Sequence, residues 1–204
     1  MDTNGILFTW GSNGKTCIPS GQLGYDPYLV LDSDGNEVED PELHDEMLNE
    51  LMMAPQLPRA IEELVSAGQR VATVSCGSKN TAVVTETGQL WIWGCGTDGQ
   101  LGNGNDITTP GVQQFEGDRW YSEWTPQRVT NGLPGGEAAV VREVSCGHDH
   151  TVVALASGEV LTFGKGDYGM LGHGESEHAD ENRMGEVIYS DNVLVPRVVA
   201  GLLV

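Results

Sequence analysis

Residues 71–104 read VATVSCGSKNTAVVTETGQLWIWGCGTDGQLGNG, and residues 141–174 read VREVSCGHDHTVVALASGEVLTFGKGDYGMLGHG. Set seventy positions apart, the two stretches align without a gap. Of 34 pairs 14 are identical, and all seven glycines of the first copy (Gly77, Gly88, Gly94, Gly96, Gly99, Gly102, Gly104) fall on glycines of the second. This is an internal repeat. A glycine kept in register marks a backbone position that needs positive φ or a close approach, so the copies share turns as well as composition.

Within a unit, Arg70 to Ser75 and Thr81 to Thr85 are apolar, β-branched runs, Glu86-Thr-Gly88 is a turn, and Leu90 to Trp93 is a further strand. Short strands joined by tight turns predict an antiparallel meander. Leu90-Trp-Ile-Trp93 is apolar on both alternating faces, which predicts a strand covered on both sides. A small sheet held between copies of itself is the packing of a propeller blade, and radial stacking also manages exposed strand edges. The fold class read from the sequence is therefore all-β.

Working outward, Gly5-Ile-Leu-Phe-Thr-Trp10-Gly11 matches Gly88 to Gly94, and Gly21-Gln-Leu-Gly24 matches Gly99 to Gly102. The chain divides into a half repeat over 1–24, repeats over 57–104 and 126–174, and the start of another over 195–204, with Pro58-Arg59, Pro126-Gln-Arg128 and Pro196-Arg197 each opening a unit. Insertions unlike one another occupy 25–56, 105–125 and 175–192. The first holds nine acids between Asp32 and Glu50, with no Lys or Arg between Lys15 and Arg59. Its Pro41 to Met53 reads as a helix with Leu43, Met47 and Leu51 on one face. The second holds Phe115, Trp120, Tyr121 and Trp124, and the third has six acids and one Arg.

The 204 residues include ten basic and thirty acidic side chains, a formal charge of −20, and 28 Gly with 9 Pro. That balance repels phosphate backbones and anionic lipid surfaces, so nucleic-acid and membrane partners are not expected. No basic apolar leader and no run of membrane-spanning length is read. Cys17, Cys76, Cys95 and Cys146 have no zinc-ligand spacing, and Cys76 and Cys146 hold the same place in the two copies. They are read as buried free thiols in a reducing compartment. With no Asn-x-Ser/Thr sequon, this places the protein inside the cell, in cytoplasm or cytoskeleton rather than nucleus.

Three motifs with a chemical spelling are read as structural. Gly94-Cys-Gly96-Thr-Asp-Gly99 and Gly164-Lys-Gly166-Asp-Tyr-Gly169 spell a dinucleotide turn, but Gly99-Gln-Leu-Gly-Asn-Gly104 is too rich in glycine to continue as the helix a phosphate site needs. His148-Asp-His150 beside Cys146 suggests a metal or nucleophile pair, with strand alternation placing both histidines on one face. The first copy has neither histidine, and no metal, cofactor or catalytic residue is assigned. Asp32-Ser-Asp-Gly-Asn36 begins like a calcium loop but has Glu37 and Leu43 where the loop requires Gly and an acid, so a hairpin turn is expected. The aromatics Phe115, Trp120, Tyr121 and Trp124 are read either as partner contacts or as a cover for their own blade, and the face of Leu43, Met47 and Leu51 presents the same choice.

Val74-Ser-Cys-Gly77, Thr81, Gly88-Gln-Leu-Trp-Ile-Trp-Gly94 and Gly99-Gln-Leu-Gly102, with Cys146-Gly-His-Asp-His150-Thr151 and Gly158 to Gly164, resemble the repeat of the regulator of chromosome condensation family. The resemblance covers most of the chain outside the insertions. It implies a seven-bladed propeller whose sequence repeat is offset from the blade, and this chain would supply about two to three of those blades. It departs at Asn80, where the second copy has His150, at Met170, and in about five extra residues around Lys15 to Ser20.

The reading reached is a non-enzymatic scaffold that presents acidic and aromatic loops to protein partners, including basic surfaces, as part of a larger assembly. The resemblance also implies an alternative, guanine-nucleotide exchange on a small GTPase of the Ran type. The Gly-Trp-Arg-His-Thr signature of the family's ultraviolet receptors is absent.

Overall fold

The computed structural model describes residues 1–11, 22–24, 58–106, 108–110, 113–115, 118–174, 179–181, 187–189 and 192–204. The first copy of the repeat folds as β3 (Val71–Cys76), β4 (Asn80–Thr85) and β5 (Leu90–Cys95). The second folds as β9 (Val141–Cys146), β10 (His150–Leu155) and β11 (Glu159–Gly164). Each set is an antiparallel meander, with Val83 opposite Trp91 in one and Val153 opposite Leu161 in the other. A fourth strand completes each sheet after the insertion: β8 (Ser122–Val129) lies on β5, and β14 (Val193–Leu203) lies on β11. Near the start of the chain, β1 (Phe8–Thr9) and β2 (Arg59–Ala60) pair antiparallel as the corresponding outer half of a sheet.

Pro126-Gln-Arg128 and Pro196-Arg197 lie in β8 and β14, which pair with β5 and β11 and so complete those sheets, as a sequence repeat offset from the blade implies. The insertion ahead of β8 also ends at Tyr121, because Ser122 to Thr125 are already strand. A short helix, α1 (Glu62–Ser66), links β2 to β3 and buries Leu64.

Alternation along the strands explains how the sheets stack. Val83 on β4 and Trp93 on β5 face the half-sheet side, where they cluster with Leu7, with Ile61 and Leu64 of the α1 segment, and with Val71 of β3. Their neighbours Ala82, Val84, Leu90 and Ile92 face the last sheet and meet Val153, Leu161 and Phe163. The middle sheet is thus apolar on both faces because it is covered on both. Trp93 and Phe163 are each fully buried, so each stabilises the stack by roughly 2–3 kcal/mol through lost apolar exposure.

Three sequence readings need correction. Cys76 is exposed, while Cys95 is buried and Cys146 is half-buried; these three thiols are free. Cys146 and Cys76 do hold equivalent strand positions, but Cys146 packs against the core between the last two sheets, whereas among the described residues the half-sheet on the other side has two strands only. His148 and His150 do not share a strand face either, since His148 lies in the turn before β10, exposed, and His150 opens the strand. Asp32 to Asn36, Cys17, Lys15 to Ser20 and the face of Leu43, Met47 and Leu51 lie outside the described residues.

Candidate functional site

In an antiparallel meander of four strands, the turn between strands one and two and the connection between strands three and four emerge at the same end. Backbone bonds tie these turns together: Cys95 N donates to Lys79 O at 2.8 Å, and Lys165 N donates to Asp149 O at 2.8 Å. All three insertions occupy the third-to-fourth connection, between β1 and β2, β5 and β8, and β11 and β14. They leave the stack at the same end of successive sheets. Two carry hairpins of their own, β6 (Gln113–Phe115) with β7 (Asp118–Trp120), and β12 (Ala179–Glu181) with β13 (Val187–Tyr189), neither joined to a four-stranded sheet.

The base of the second insertion is anchored by Tyr121. Its carbonyl accepts from Gly96 N at 2.9 Å. Its hydroxyl accepts from Asn103 Nδ2 at 2.7 Å and from Asn105 Nδ2 at 3.0 Å, and donates to Glu123 Oε1. Its ring packs on the core between the last two sheets. Burial, then the bond to Glu123, pushes the phenol up to about 12. Tyr121 thus faces its own sheet. Trp124 stands half-buried on β8 and is engaged within the chain. Phe115 and Trp120 belong to the β6–β7 hairpin, Phe115 opposite Asp118 and Trp120 opposite Gln113. The structure places Tyr121 and Trp124 on the scaffold and Phe115 and Trp120 in the β6–β7 hairpin, which joins no four-stranded sheet.

Between the last two sheets this end is acidic. Burial raises the Asp98 carboxyl, and the neighbouring charges of Asp149 and Asp167 raise it further. Lys165 lies among them, paired with Asp167 Oδ2 at 2.9 Å, and that bond raises the ammonium. Asp167 Oδ1 is buried with no partner among the described residues. His148 Nδ1 lies 2.6 Å from Asp149 Oδ2. Four charged groups with a net negative sum repel a phosphate.

The sequence reading missed Tyr168. It sits in the turn that follows β11, is 75% exposed, and has φ 55°, a conformation that costs a bulky side chain. The aligned residue of the first copy is Asp98, so an aromatic replacing a carboxylate at one turn position was the available signal. Gly94 and Gly164 lead into turns: Asp167 to Gly169 is a single 3-10 turn, and no helix faces an anion there.

A family model described as the regulator of chromosome condensation (RCC1) repeat matches residues 87–154 and 157–203, and a second model of that description matches 71–100 and 141–169. The ultraviolet-B receptor UVR8 of Arabidopsis thaliana is 38% identical over 125 residues, covering 61% of this chain and 23% of the receptor. Human RCC1 domain-containing protein 1 is 28% identical over 223 residues, covering 98% of this chain and 50% of that protein. The chain therefore spans half or less of these relatives' length. Among solved structures, Prp20p of Saccharomyces cerevisiae, described with its binding to Gsp1p and histones, superposes with TM-score 0.54 at 19% identity over 97% of this chain and 35% of that one.

Proposed function

The chain belongs to the regulator of chromosome condensation (RCC1) repeat family, and from that premise we propose that it is a non-enzymatic interaction scaffold, an arc of a larger propeller that presents its insertions to protein partners inside the cell. The observation that carries the proposal is the common origin of the insertions: three dissimilar segments all leave the third-to-fourth strand connection of successive sheets. A rigid stack with variable loops at one end is how binding surfaces are commonly built. The β6–β7 hairpin with Phe115 and Trp120, the exposed ring of Tyr168, and the Asp98, Asp149 and Asp167 group form that end. Aromatic residues together with a charge group of net negative sum favour a basic protein partner. The arc corresponds to about two to three blades of a seven-bladed ring in the family pattern. The free thiols agree with a reducing compartment, cytoplasm or cytoskeleton.

The test compares the protein with Tyr168→Ala, Trp120→Ala and a variant in which residues 107–119 are shortened, leaving Tyr121 in place. Bound proteins are identified by mass spectrometry and thermal stability is measured alongside. The expected result is loss of a defined partner with melting behaviour unchanged. Retention of every partner by all three variants would sink the proposal. Faster nucleotide release from a Ran-type small GTPase would replace the scaffold with the exchange reading.

A further inference from the structure

Among the described residues three asparagines precede a glycine: Asn4-Gly5, Asn103-Gly104 and Asn131-Gly132. An asparagine so placed can lose its side-chain amide, because the next backbone nitrogen can close a five-membered ring on Cγ and glycine puts no Cβ in the way. The attack needs two freedoms. The side-chain amide must be able to turn back on the chain, and the following N–H must not be held in a hydrogen bond, since that nitrogen has to give up its proton.

The fold removes both freedoms at two of the three. Asn4 Nδ2 donates to Asp2 Oδ2 at 3.4 Å and Asn4 N to Asp2 Oδ1 at 2.9 Å, while Gly5 N donates to Asp2 O at 3.2 Å. Asn103 Nδ2 donates to the Tyr121 hydroxyl at 2.7 Å and Asn103 Oδ1 accepts from Asn105 N at 3.1 Å, while Gly104 N donates to Leu194 O at 2.9 Å. The third pair is held in neither way. Asn131 is exposed, and neither its side chain nor Gly132 N makes a hydrogen bond among the described residues. The pair lies in the connection from β8 to β9, which leads from the middle sheet to the last at the end of the stack opposite the insertions.

We propose that Asn131-Gly132 is a deamidation site of the folded protein. Gly132 N, deprotonated, attacks Asn131 Cγ; the N–Cγ bond forms, the Cγ–Nδ2 bond breaks, and Nδ2 takes up the proton and leaves as ammonia. Water then opens the cyclic imide at one of its two carbonyls. Opening at Cγ gives aspartate, and opening at the main-chain carbonyl gives isoaspartate, whose backbone runs through Cβ and is one carbon longer. Nothing is oxidised or reduced: one water is taken up and one ammonia released. Either product adds a negative charge to a chain that already carries −20. The longer product also presses on the joint between the last two sheets. That joint is held by Thr151 Oγ1, which donates to Gln100 O at 2.9 Å, and by Phe163 lying against Gly102. Gly132 abuts the same joint, where a Cβ would stand 2.5 Å from Pro196 O and 3.1 Å from Val195 Cβ on β14. The proposal stands apart from the scaffold reading, which concerns the insertions.

The test holds the whole folded protein at about pH 7 and about pH 8, beside a sample unfolded in denaturant, and follows each asparagine by peptide mass spectrometry. In the folded protein the Asn131 peptide is expected to gain about 1 Da, about tenfold faster at the higher pH, with Asn4 and Asn103 slower than Asn131 by about tenfold or more. In denaturant the three rates converge, because only the fold separates them. Asn131→Gln, at an exposed position, stops the change there and leaves the melting midpoint where it was. Folded protein whose Asn131 stays intact while the unfolded sample converts would overturn the proposal, as would Asn4 or Asn103 converting as fast as Asn131. The isoaspartyl product, separated by chromatography, is expected to melt about 2–4 °C below Asn131→Asp, which has the charge without the extra carbon. Equal midpoints would overturn the effect on the joint.

Discussion

At Gly94 the backbone takes φ +110°, and a Cβ would lie 2.6 Å from Asn80 Cα, its partner across the β4–β5 ladder. Gly94→Val adds strain and a backbone clash together, and is expected to cost about 3 kcal/mol or more. Thermal unfolding would show this as a fall in midpoint of about 6–12 °C for a chain of this size. Tyr168 is the opposite case, since Tyr168→Gly removes a left-handed side chain that touches little and is expected to raise stability by about 1 kcal/mol while weakening partner binding. The phenol of Tyr121 gives a pH signature. Its folded value, about 12, lies above the ordinary 10, so its contribution is whole below pH 10 and is lost as pH rises toward 12. Melting curves of wild type and Tyr121→Phe should converge across that window; a constant gap would remove the phenol from the account. Asn80 and His150 show what sequence comparison of the copies resolved at this scale. Both sit against the glycine that precedes their turn, Gly77 and Gly147, so the place is structural. The sequence did not show that Asn80 Nδ2 reaches Thr151 Oγ1 across the joint at 3.5 Å while its Oδ1 has no partner among the described residues.

Among the elements, the first three strands of each sheet were legible because their apolar positions alternate and their turns carry glycine. The fourth strands were not. Pro126 and Pro196 stand inside β8 and β14, where a central strand would lose a ladder bond. Both strands are sheet edges, and in both the register shifts near the proline: between Ile92 and Gly94 opposite β8, and between Thr162 and Gly164 opposite β14. The rule against proline in strands was outvoted by edge position. Helix α1 was missed for a simpler reason: five residues give too little length for a helical period. The joint between the last two sheets can be tested through one hydroxyl. Thr151→Val keeps the shape, but Gln100 O loses a donor and Asn80 Nδ2 loses an acceptor. The expected cost is about 1–3 kcal/mol in chemical denaturation, with the slope of the transition unchanged.

For the whole molecule, the repeat predicted stacking, and the two-sided burial of the middle sheet follows from it. The acidic end was less legible, because Asp98, Asp149 and Asp167 come from three turns on two sheets and only the fold brings them together. Charge acts at this scale too. With thirty acids against ten bases, self-repulsion is spread over the surface. Raising ionic strength from about 0.05 to 0.5 M should raise the unfolding midpoint, and an unchanged or lower midpoint would mean that attractive pairs dominate.

The shared departure point of the insertions also affects how strongly a partner would be held. Segments rooted on neighbouring sheets of one rigid body are tethered near each other, so once one is engaged the next meets its target at an effective concentration on the order of millimolar. Weak individual contacts then combine into avid binding. Removing one insertion would lower affinity by about a hundredfold while the remaining contact still binds alone, and a partner too small to reach two insertions would gain nothing from the arrangement.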